Sequence, residues 1–270
     1  MYPSREVYAA SPLALVAAEV RFSDSARLRQ RETLDAISLA MESEFPIPET
    51  VPRSDIAMNG DQPKGSPPTG VFVLANRQRT ESLSFRAESL TFETTAYQEF
   101  VRLESIVQWA CDVLVDLEVR PELRRVGLRY IDEIRVPELI QDAKRWGDWL
   151  DPRLVDQLEV ESTGYPVVTA QGLTVYDLGD SKRLAFRFAA LNQSPVVEPE
   201  ILQPRHQVGT GPFFVLDFDG FQEFGGNSGM PLDSSTVIGT LRSVHAPTGA
   251  LFQSVLTDRA RELFRGDAQQ

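Results

Sequence analysis

Apolar and charged residues alternate from Arg125 to Val136 (RVGLRYIDEIRV). Val126, Leu128, Tyr130, Ile134 and Val136 share one side of an extended chain, while Arg125, Arg129, Glu133 and Arg135 share the other. Asp132 breaks the pattern, an acid on the apolar side. A second alternating run, Pro12 to Phe22, sets Val16, Ala18, Val20 and Phe22 against Glu19 and Arg21. Shorter strand-like runs lie at Val71 to Asn76, Leu83 to Ala87 and Leu90 to Thr94, and later at Gln157 to Glu161, Gly172 to Leu178, Leu184 to Leu191 and Phe213 to Phe221.

Helical spacing takes over elsewhere. Leu34, Ile37, Met41 and Phe45 predict a helix from about Arg27 to Phe45, stopped by Pro46 and Pro48. Phe100, Leu103, Val107, Cys111 and Leu114 predict another from Thr95 to about Glu118, with Thr95 and Gln98 as a capping box. Trp146 and Trp149 pin a short amphipathic segment from Glu138 to Leu150. Two further helices are expected near Ser235 to His245 and Leu251 to Phe264, separated by Pro247 and Gly249. Between Pro46 and Gly70 stand six prolines and three glycines without apolar periodicity, which predicts a long surface loop.

These elements describe an α+β protein with antiparallel strands and helices packed on one face. Residues 1–137 follow a ferredoxin-like order, and 138–270 form a second α+β half, possible as a duplicate, packed with the first as one unit. The motifs PLALVAAEVRF and GLRYIDEI, with the aspartates of LDFD and the segment from His245 to Asp258, resemble a sporadically distributed, uncharacterised bacterial protein family with PLxxVxxExRF and GLRYIxxI patterns. No established activity comes with that resemblance. The family's patchy distribution implies an accessory or antitoxin-like component of a defence locus.

Charge narrows the functions. Thirty-nine acids against 27 bases, a net charge of −12, oppose non-specific binding to nucleic acid. The single cysteine, Cys111, excludes an internal disulfide and any multi-cysteine metal site, and its place on a helical apolar stripe makes it a core residue. Glu6, Ser11, Pro12, Glu19 and Arg21 interrupt what would otherwise mimic a signal peptide, and no later run is apolar enough to span a membrane. A cytoplasmic protein without membrane association is expected.

The loop Gly226 to Pro231 (GNSGMP) has the letters of a serine-protease nucleophile loop, but His206 and His245 supply no upstream partner in a matching context. Neither histidine has a metal-ligand partner at the usual spacing, and His245 is expected at a helix C-terminus. Asp217 and Asp219 project from one face of a strand, two residues or about 7 Å apart, close enough to share a divalent cation. The competing reading pairs them with arginines across strands. Arg21, Arg86, Arg129 and Arg187 lie in strand-like runs, as do Glu19, Glu88 and Glu133, so neighbouring strands would carry a ladder of opposite charges, with Arg129 in reach of an acid such as Glu19. An acidic stretch from Ser194 to Asp233, with Arg205 its one base, adds a surface for a basic partner.

The sequence therefore predicts a non-catalytic binding protein needing no cofactor and no metal. It would recognise a protein partner or a small anionic ligand through Glu19, Arg21, Arg129, Glu133, Arg187, Asp217 and Asp219, alone or as a homo-oligomer. The alternative is a metal-dependent enzyme centred on Asp217 and Asp219.

Overall fold

The computed structural model describes residues 6, 8–52, 70–155, 165, 167, 169–192, 201–205, 211–225 and 229–266. The expected strand at Gln157 to Glu161, most of the proline-rich loop, His206 and the first residues of the GNSGMP motif lie outside them.

The strands are β1 (Leu13–Phe22), β2 (Ile47–Pro52), β3 (Gly70–Ala75), β4 (Glu81–Arg86), β5 (Ser89–Thr94), β6 (Glu122–Ile134), β7 (Ala170–Gly179), β8 (Lys182–Leu191), β9 (Phe213–Glu223) and β10 (Met230–Pro231). They form one antiparallel sheet in the order β2-β3-β4-β5-β1-β6-β9-β8-β7, with β10 paired to β6. The pairing of β6 with β9 joins the two halves of the chain. The C-terminal strands β7, β8 and β9 are hairpin neighbours in chain order, whereas β5 and β6 flank β1 and are linked through a helix. The different orders leave the expected duplication without support.

Alternation assigns the faces. Leu74, Leu83, Phe92, Ala18, Leu128, Gly220 and Leu184 lie opposite one another across seven strands, and all the non-glycine members are buried. Helices cover this face: α3 (Ser234–Val255) packs on β6, β8 and β9, α2 (Phe100–Asp116) on β5 and α3, and α1 (Arg31–Met41) on α2. A short α4 (Asp258–Arg265) follows. Gly220 lets α3 come close, since a Cβ there would sit 3.0 Å from Val244 and 3.2 Å from the Thr248 hydroxyl.

Several expected elements are altered by tertiary contacts. Ile47–Pro52, expected in the loop, is an edge strand, where Pro48 and Pro52 can stand because one side of the strand needs no donor. The first helix is shorter than predicted, because Gln30 is extended and separates a 3₁₀ turn, Ala26–Arg29, from α1. Thr95 does not cap α2. Its hydroxyl donates to the Gln203 carbonyl at 2.6 Å and its N–H to Thr80, so the helix begins at Phe100. Pro247 and Gly249 do not split α3, which the buried Val244 and Thr248 hold against the sheet through the proline turn. The Trp146 segment is a 3₁₀ turn, Ala143–Asp148, rather than a longer amphipathic stretch, with Trp146 and Trp149 both buried as expected.

Candidate functional site

Strand alternation places Glu19, Arg125, Arg129, Arg187, Asp217 and Asp219 on the sheet face away from α3. Arg129 grips Asp217 with two bonds, Nε to Oδ1 at 2.7 Å and Nη2 to Oδ2 at 2.8 Å, the fork geometry that suits a carboxylate. That carboxylate raises the Arg129 pKa further above its ordinary value, while Arg187 approaches the same acid at 3.5 Å. Arg125 reaches Asp219 at 2.9 and 3.0 Å and Glu19 at 3.0 Å, and Glu19 also pairs with Arg21 at 2.8 Å.

Two details depart from the sequence reading. Glu19 is taken by Arg125 and Arg21, so the acid that Arg129 meets is Asp217. Arg125, absent from the expected binding set, is the hub. Its guanidinium lies across Gly127, where a Cβ would come within 2.5 Å of Nη1, and stacks 4.4 Å from the Phe221 ring. Glu133 is apart from this ladder, paired with Arg135 at 3.4 Å near a second apolar cluster of Ile131, Phe213 and Val215. Asp217 and Asp219 are thus already occupied by guanidinium groups, and among the described residues no three His, Cys, Asp or Glu side chains gather as metal ligands do.

The opposite face holds a feature with a different balance. Where β6 passes beneath α3, a cleft of about 450 Å³ opens between the sheet, α3, the N-terminal segment and the β5–α2 connection. Tyr130 and Asp132 form its floor with Phe218, and His245, Thr248, Gly249 and Phe252 come from α3. Tyr8 and Leu13 close one side and Tyr97, Gln98 and Glu99 another. The aromatic groups are mutually fixed. Tyr130 Oη lies 2.9 Å from His245 Nδ1 and 3.3 Å from Tyr97 Oη, while the His245 ring stacks on Phe100 with centroids 4.0 Å apart. His245 therefore sits inside α3, tied to the sheet, rather than at a helix end.

Asp132 is the exception within this arrangement. It is 4% exposed, yet no hydrogen bond or ion pair reaches its carboxyl among the described residues, and its oxygens are not sealed from the cleft it lines. Burial pushes its pKa up to about 8, so the group is mostly a neutral acid at pH 7. Glu6, at the cleft margin, is the opposite case: Arg265 bonds to it and holds its carboxyl below the ordinary range. The cleft combines aromatic walls, a size suited to a small organic molecule and one unpaired acid. The sequence signal for it was an acid on the apolar side of β6. Tyr8, Tyr97 and His245 carried no such signal, since they meet only through the fold.

Comparison of the chain with protein-family models, with curated proteins and with solved structures gives no match.

Proposed function

We propose that the protein is a binding protein whose recognition centre is the cleft beside Asp132, and that it takes a small molecule there. The observation that carries this reading is the Asp132 carboxyl, on a residue 4% exposed, without a partner among the described residues and lining the cleft. Setting an acid in a largely apolar surrounding without a protein partner weakens a fold, so its presence is accounted for when a ligand in the cleft supplies the bond. The charge ladder is a weaker centre, because any partner must displace contacts its members already make. The same competition disfavours a metal-dependent enzyme at Asp217 and Asp219.

The test is a thermal-shift screen of small metabolites against the intact chain and Gly249→Leu. Leucine favours the helix more than glycine does, and Gly249 lines the cleft. Compounds that raise the melting temperature of the parent protein should lose that effect in the variant. Hits that persist undiminished in a folded Gly249→Leu protein would remove the cleft from the proposal. A saturable rise with magnesium or manganese, abolished by changing Asp217 and Asp219 to asparagine, would instead put the enzyme reading first.

A further inference from the structure

Resting on the reading of the cleft as a small-molecule site, we infer that its ligand is an organic cation, a protonated amine on an apolar body, with Asp132 as the counter-ion. The first argument is the state of Asp132. Its carboxyl has no competing partner among the described residues, so a donor entering the cleft has an acceptor waiting for it.

The second argument is the wall. Tyr97, Tyr130, Phe218 and Phe252 line the space, and aromatic faces attract a cation while covering an apolar body. The third is the balance of charge. Glu6 and Tyr8 approach from the N-terminal segment, Tyr97 and Glu99 from the β5–α2 connection, and Tyr130 from β6. His245 approaches from α3 and Arg205 from the segment ahead of β9. Arg205 is the only Lys or Arg among the described lining residues, and its Nη1 approaches the Tyr97 carbonyl at 3.4 Å. An anion entering here would face Asp132 and Glu99, with Arg205 the one Lys or Arg to offset them among the described lining residues. A neutral alcohol would gain one bond but leave the aromatic faces without a charge to attract.

Binding a cation draws the proton from Asp132, because only the ionised carboxylate forms the ion pair. With the free group titrating near pH 8, its ionised fraction rises from about one thirtieth at pH 6.5 to about three quarters at pH 8.5. The affinity for a permanently protonated amine should therefore rise about twentyfold over that interval.

Three probes of one shape separate the possibilities: 2-phenylethylamine, 2-phenylethanol and phenylacetate. Calorimetric titration of the full chain at pH 6.5 and 8.5 should show the amine binding most tightly, with affinity increasing toward the higher pH. In Asp132→Asn, the amine should bind more than tenfold more weakly at pH 8.5 and lose its pH dependence, while a retained melting transition shows that the fold survives. Tighter binding of the alcohol or the carboxylate, lost in Gly249→Leu, would overturn the cation assignment and leave the cleft as a site. Equal amine affinity in Asp132→Asn would also overturn it. No saturable binding of any probe to millimolar concentration would overturn both the assignment and the cleft itself.

Discussion

Asp132 and Asp217 are buried to nearly the same degree, 4% and 5% exposed, in adjacent strands where Asp217 is the register partner of Ile131 and Asp132 that of Leu216. They face opposite sides of the sheet and have opposite surroundings. Asp217 meets two guanidinium groups, one of them bidentate, whereas Asp132 lines the cleft with no partner among the described residues. Burial therefore does not separate a structural acid from a candidate functional one. The presence or absence of a partner does, because a paired buried charge is compensated within the fold and an unpaired one is compensated only by taking up a proton or a ligand.

The largest expected effect that would sharpen this contrast is Arg129→Met. Asp217 would keep only the 3.5 Å approach of Arg187, and leaving a buried carboxylate so poorly compensated should destabilise the protein by about 3 kcal/mol. A urea melt unchanged from the parent would mean that the ladder contributes nothing and that the two acids differ less than their geometry implies.

Asp132→Asn should act in the opposite direction. An unfolded aspartate releases its proton near pH 4, whereas in the folded chain it holds the proton to about pH 8, so folding in that window takes up a proton and stability falls as pH rises. Asparagine imitates the neutral acid and has no proton to lose. The variant should be more stable than the parent at pH 8, with the difference shrinking toward zero near pH 4. Denaturant midpoints measured across that range decide it, and a variant less stable than the parent at pH 8 would show that Asp132 has a partner in solution.

Gly127→Ala tests how the ladder is threaded. The new methyl must push the Arg125 guanidinium from its place between Glu19 and Asp219, a loss of about 1 kcal/mol because the arginine tip can move. A loss as large as that of Arg129→Met would indicate backbone displacement instead. The smallest change should come from Arg187→Ala. That side chain is 48% exposed and stands at long range from Asp217, so the melt should shift by less than about 0.5 kcal/mol.

How much of this was legible beforehand differs between the two regions. The faces of β1, β6 and β9 follow from residue alternation, since successive side chains must point to opposite sides, and the pairing of these strands then brings Glu19, Arg129, Asp217 and Asp219 together on one face. It could not choose partners. Arg129 is opposite Asp219 in register but bonds Asp217, because long arginine side chains reach diagonally along the strand. The hub role of Arg125 depended on a glycine two residues away offering room, which periodicity does not encode.

The cleft was written in the chain only as an anomaly. Alternation put Asp132 on the apolar side, and helical and strand spacing settled an α+β fold with helices over that side. Whether an acid there would be paired, solvated or left alone depended on which distant segments arrived above it. Tyr8 and His245, at opposite ends of the chain, reach the same space because α3 continues through Pro247 and packs close over Gly220. Local pattern carries the face a residue occupies, because that is set by backbone geometry over a few residues. The neighbours that decide its charge, its partner and its chemistry come from contacts spanning most of the chain, and only the folded structure selects them.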